Sequence, residues 1–92
     1  MLLGKLKIQG HSMEPTINEG NLVFVSSLPF LFSKPRIGDV VVLRKENKTL
    51  IKRVTRIRND KFFLAGDNVM DSMNVWANKK DIKGKIVYVI TT

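Results

Sequence analysis

Two residues of this chain have the types and the surroundings to act as a nucleophile and its base. Ser12 lies in the run Gly10-His11-Ser12-Met13-Glu14-Pro15-Thr16, and Lys52 follows 40 positions later in Ile51-Lys52-Arg53-Val54. A serine hydroxyl attacks a carbonyl effectively only when a base takes its proton. A Ser-Lys pair is one recognised form of that arrangement. Free lysine titrates near ~10.4 and is charged at neutral pH. Desolvation among apolar neighbours disfavours the ammonium, and Leu50 and Val54 stand two positions to either side of Lys52. The backbone N–H of Ser12 would face a developing oxyanion if the turn is tight, and Gly10 permits that close approach. His11, the only histidine, points away from Ser12 in extended chain, so it reads as a rim residue. Read singly, Lys52 is a strand lysine whose stem lies along a sheet edge; the serine run shifts the balance toward chemistry.

Composition narrows the other options. The 92 residues contain no cysteine, which excludes thiolate catalysis and Cys-based zinc sites. One histidine and eight carboxylates leave little for a metal cage, and no cofactor is expected. Sixteen Lys and Arg give a net charge of +8, a balance that suits nucleic acid or an anionic membrane surface. No stretch approaches the ~20 apolar residues of a spanning helix, and the first residues form no secretory signal. These features fit a soluble or peripheral chain, or one whose anchor lies elsewhere.

The elements that must hold Ser12 and Lys52 read as strands. Residues 5–9, 22–25, 39–43, 50–57, 62–65 and 86–90 form short apolar or alternating runs. The residues between them break the pattern as turns do, Gly66-Asp67-Asn68 and Lys83-Gly84 among them. Helical periodicity is weak, with one short turn expected within residues 13–18, where Pro15 suits a first turn. The sequence therefore predicts an all-β fold with little or no helix, forming a single domain over residues 1–92. Alternation in the fourth strand places Leu50, Lys52 and Val54 on one face and Ile51, Arg53, Thr55 and Ile57 on the other.

The spelling around both residues resembles the type I signal peptidase family, whose blocks are matched in order over about residues 10–87. Gly10 to Thr16 resembles the nucleophile block, Gly38-Asp39-Val40-Val41-Val42 a G-D-V-V block, Lys52-Arg53-Val54 the general-base block, and Gly66-Asp67-Asn68 with Ser72 the last block. The resemblance implies a small signal-peptidase-like β-barrel or folded sheet. It implies Ser12 as nucleophile, Lys52 as general base, and Gly10 and Ser72 as supports of the oxyanion site and the lysine. Met13, Asp39 and Val40 would lie beside the substrate. The chain departs from the family after Ser72, where Asn74, Val75 and Trp76 replace the usual Asp, Ser and Arg. It also shows none of the family's N-terminal anchor.

On this reading the chain is a serine endopeptidase that cuts a peptide or pre-protein after small residues. Its expected place is the outer face of the cytoplasmic membrane, with an anchoring partner as a further candidate. A soluble cytoplasmic placement stays open. The segment Ser27-Leu28-Pro29-Phe30-Leu31-Phe32-Ser33, followed by Lys34 and Arg36, suits a loop that dips into lipid through Phe30, Leu31 and Phe32 with cations at the headgroups; a packed hairpin or dimer patch suits it about equally. Alternative functions are a self-cleaving repressor-type Ser-Lys peptidase, a catalytically impaired relative, and a basic β-barrel that binds nucleic acid through residues 52–58 and Phe62, Phe63 and Trp76. The last leaves the Ser-Met-Glu-Pro-Thr run without a task, so nucleic acid is the least expected partner.

Overall fold

The apolar run Val40-Val41-Val42-Leu43 lies at the centre of the fold because it is covered on both faces. The computed structural model describes residues 3–70 and 73–91. Seven strands form one antiparallel sheet: β1 (Leu3–Lys7), β2 (Leu22–Ser26), β3 (Val40–Lys45), β4 (Lys48–Arg58), β5 (Lys61–Ala65), β6 (Val75–Asn78) and β7 (Ile82–Ile90). Their spatial order is β1-β2-β7-β3-β4-β5-β6. Alternate residues of β3 enter two separate cores. Val41 and Leu43 pack with Val54, Phe62, Leu64, Ala77 and Ile82. Val42 packs with Ile8, Met13, Ile17, Val23 and Val25. A strand buried on both faces needs the near-continuous hydrophobic run that β3 carries. The all-β expectation holds.

Two hairpins set the register of the central strands. Glu46-Asn47 joins β3 to β4, and Asn59-Asp60 joins β4 to β5, with φ between 50° and 63° at all four residues. Two consecutive left-handed residues in a two-residue loop match the twist of the flanking strands. The resulting register pairs Val41 with Lys52 and Leu43 with Leu50. Directly paired residues share a face, so Lys52 projects on the side of the Val41–Leu43 core.

Several elements differ from the sequence reading. β1 ends at Lys7 rather than Gln9, because Ile8 turns into the second core. β7 starts at Ile82 and continues through Lys83-Gly84, which the sequence marked as a turn, with a register shift against β3 at Lys83. The glycine is required by contact: a Cβ at Gly84 would lie 2.7 Å from Val25 Cγ1 and 3.1 Å from the Ser26 carbonyl oxygen. Glycine inside a strand often marks such a close approach. β6 was not foreseen, since its four residues are too few to display a period. A register shift between Val54 and Arg56 lets Thr55 bulge and sets Ile57 opposite Phe62. The bulge reverses the alternation, so Ile57 does not share the face of Ile51 and Arg53. Residues 29–32 form a single helical turn, α1 (Pro29–Phe32), with Pro29 at its start where a missing N–H costs nothing.

Candidate active site

Ser12 sits in a turn that leaves β1 and folds back under the sheet. Gly10 enters it with φ +88°, a conformation that favours glycine. The backbone N–H of Ile17 then bonds to the Met13 carbonyl at 3.0 Å, which makes the short helical turn expected in this region, and the Glu14–Pro15 peptide is cis. Met13 and Ile17 are the apolar anchors of the turn, both buried in the second core. This fixes the backbone of Ser12 from beneath.

The turn is also held from above by the loop after β5. The Asn68 backbone N–H donates to the Ser12 carbonyl at 2.8 Å. The Asn68 side-chain amide donates to the His11 carbonyl at 3.0 Å. Asp67 receives a side-chain hydrogen bond from Thr16 and is gripped by Arg53, whose Nε and Nη2 reach its two oxygens at 2.9 Å each. Arg53 also donates from Nη1 to the Gly38 carbonyl at 2.8 Å. The four matched sequence blocks therefore meet in one network. The Arg53 hydrogen bond holds the Asp67 carboxyl below its ordinary value, Thr16 adds to this, and burial opposes it. Asp67 in turn raises Arg53. On the outer side His11 Nδ1 lies 2.7 Å from Glu14 Oε2. That contact lowers the Glu14 carboxyl.

Lys52 is only 4% exposed. It lines a hollow together with Ser12, Leu50, Val75, Met73 and Trp76, with Lys45, Glu46 and Lys48 at its margin. A second hollow meets the same serine from the other side and is walled by Leu6, Ile8, Gly10, Met13, Leu50 and Ile51. Ser12 and Leu50 thus form the divide of a cleft with two arms. Among the described residues, the β4 segment beside it has a strand partner on one edge only: β4 pairs with β3 along Lys48 to Arg53, whereas pairing with β5 begins only at Arg53.

The remaining candidates fall elsewhere. Asp39 and Val40 line a different hollow with Thr16, Ile17, Lys85 and Tyr88. Asp39 caps its own turn by accepting from the Arg36 N–H at 2.9 Å and faces Lys85 at 3.2 Å. Phe30 packs against the first core, while Leu31 is 66% and Phe32 84% exposed. Ser72 lies outside the described residues. Among the described residues no three His, Asp or Glu side chains come together as a metal cage. No helix there is long and apolar enough to cross a membrane. The sequence places Arg53, Thr16, Asp67 and Asn68 inside matched blocks but assigns none of them a task in holding the serine.

Residues 3–87 match the family model described as Peptidase S24-like. The chain belongs to the Peptidase S24-like family. It is also 31% identical over 83 residues to signal peptidase I of Bacillus amyloliquefaciens, a match that covers 83% of this chain and 44% of that protein. The chain thus spans less than half the length of that relative. The matched stretch of the family model includes the serine turn, β4 and the Gly66-Asp67-Asn68 loop, the parts that build the cleft.

Proposed function

We propose that this domain is a serine endopeptidase in which Ser12 is the nucleophile and Lys52 the general base. The observation that carries the reading is the burial of a lysine in the same hollow as the motif serine. An ammonium buried against Leu50 and Val54 is disfavoured relative to the neutral amine, and a neutral amine is what a general base must be. Lys52 Nζ takes the Ser12 proton as Oγ bonds to the substrate carbonyl carbon. It then delivers that proton to the leaving amine as the C–N bond breaks. Water hydrolyses the resulting ester by the same route, which restores Ser12. The held Ser12 turn aims its backbone N–H at the oxyanion.

The cleft suits an extended peptide. β1 is one of the two outermost strands of the sheet, and among the described residues β4 has no second strand partner at residues 48–52. A chain lying between them gains main-chain hydrogen bonds without regard to its sequence. The relative is named a signal peptidase, and the aliphatic arm beside Ser12 is compatible with the small residues that such an enzyme would select. Processing of signal or leader peptides near a lipid surface is therefore the favoured role, with Ser72 as a support for Lys52 and Leu31 and Phe32 as the lipid contact.

The test is turnover of a peptide carrying an Ala-x-Ala site, in detergent, by wild type, Ser12→Ala and Lys52→Met. Wild type is expected to cleave it, and both variants to lose at least about a thousandfold in kcat. Methionine fills the lysine's volume without its charge, so Lys52→Met should keep the fold. Full activity in Lys52→Met would remove the mechanism.

A further inference from the structure

The two arms of the cleft differ in where they lead and in the cations met beyond them, and the difference bears on which substrates fit. The arm walled by Leu6, Ile8, Met13 and Ile51 is mainly aliphatic near Ser12, with Lys7 as its one cation among the described lining residues. The arm that holds Lys52 leads to Trp76, which is 41% exposed. Trp76 then borders two further depressions, one with Arg58 and Lys61 and one with Lys45 and Lys61. Against these cations the described lining residues supply one carboxylate, Glu46. Asp60 nearby in sequence is engaged by Lys34 at 3.0 Å, and Asp81 accepts from the Asn78 N–H.

The proton path tells which part of a substrate enters this arm. Lys52 must hand its proton to the leaving amine, so the residues after the scissile bond lie on the Lys52 side. We infer that the path from Lys52 over Trp76 to Arg58 and Lys61 receives the segment that follows the scissile bond, and that this segment carries acidic side chains. This rests on the peptidase reading above and adds a substrate class to it. Trp76 supplies an apolar step, and Lys45, Lys48, Arg58 and Lys61 supply a field that attracts and orients carboxylates. A nucleic acid suits the surface less well. The Phe63 ring packs on Trp76 at 5.0 Å between centroids and carries Arg56 over it at 5.7 Å, so among the described lining residues Trp76 alone offers a ring, one stacking platform rather than a row.

Trp76 is the single tryptophan and reports binding by its own fluorescence. Ser12→Ala protein would be titrated with two peptides of one sequence, bearing either Glu or Gln at the second to fifth positions after an Ala-x-Ala site. Cleavage of both by wild type would be followed in parallel. The Glu peptide is expected to bind about tenfold more tightly at low salt, and the gap should close near 1 M salt. Arg58→Glu with Lys61→Glu, both exposed positions, should invert the preference toward a Lys-bearing peptide. Equal binding and equal turnover of the Glu and Gln peptides would overturn the inference and leave the peptidase intact. Turnover of neither peptide would overturn the peptidase reading and the inference with it. Tighter binding of a single-stranded oligonucleotide than of the Glu peptide would assign the surface to nucleic acid instead.

Discussion

Arg53 and Asp67 form a two-pronged ion pair that ties the strand carrying Lys52 to the loop that holds Ser12. Both hydrogen bonds measure 2.9 Å, and the side chains are 31% and 18% exposed. Arg53 follows Lys52 in β4 and points to the opposite face, so one strand presents the base on one side and the clamp on the other. Asp67 precedes Asn68, whose N–H bonds to the Ser12 carbonyl. The pair therefore couples the relative placement of nucleophile and base.

Removing the clamp should cost more activity than stability. A partly exposed pair of good geometry contributes on the order of 1 kcal/mol. Arg53→Ala should thus lower the melting temperature by about 4–8 °C in a domain of this size. Turnover should fall much further, by about a hundredfold, because a displacement near 1 Å at the serine is that costly. Arg53→Lys cannot make the two parallel bonds and should restore little. Melting curves and kcat on the same preparations separate the two effects; equal losses in both would reduce the pair to a structural one.

The same pair sets an acid limit. The Asp67 carboxyl is lowered in the folded protein, chiefly by its hydrogen bond from Arg53. The unfolded chain then holds more protons at this site than the folded one in the acid range, so stability rises with pH there. The contribution is complete above the ordinary carboxylate value and drains away as pH falls through the lowered one. Asp67→Asn should flatten the acid limb of a plot of urea midpoint against pH below about pH 4. An unchanged slope would show that other carboxylates govern acid unfolding.

What the sequence disclosed depended on how locally each feature is encoded. The strand faces around Lys52 were legible because alternation is local, and short local blocks marked Ser12 and Lys52 as candidates. The reversal at Thr55 was not, since the bulge answers to pairing with β5 rather than to any residue of β4. Gly84 spelled a turn, yet its reason lies on β2, where Val25 leaves no room for a Cβ. Asp67 and Asn68 look like turn residues from their own neighbourhood. Their tasks become visible only once Arg53, Thr16 and Ser12 stand beside them in space.

Asn68 offers the cleanest separation of positioning from folding. Its side-chain amide donates to the His11 carbonyl at 3.0 Å, while its backbone N–H holds Ser12. Asn68→Ala deletes the first bond, together with the one its Oδ1 accepts from the Met70 N–H at 3.1 Å, and spares the second. We expect kcat to fall about tenfold with KM near its wild-type value, and a melting temperature within a few degrees of the parent. An Asn68→Asp variant keeps the shape but presents only acceptors to a carbonyl, so it should be no better than alanine. Wild-type kcat in both variants would show that the backbone bond alone positions the serine.

The lipid contact proposed for residues 30–32 divides at Phe30. This ring packs against the Val41–Leu43 core, so Phe30→Ser would damage the fold and test nothing about membranes. Leu31 and Phe32 face outward on the same helical turn, with Lys34 and Arg36 just beyond them in sequence. Apolar side chains of this size gain roughly 1.5–3 kcal/mol each on full burial, and two neighbouring cations add attraction to anionic headgroups. Leu31→Ser with Phe32→Ser should leave the melting temperature unchanged and reduce co-sedimentation with phosphatidylglycerol vesicles at least tenfold. Neutral phosphatidylcholine vesicles should bind the wild type more weakly. Equal co-sedimentation of wild type and the double variant would place any membrane contact on another face.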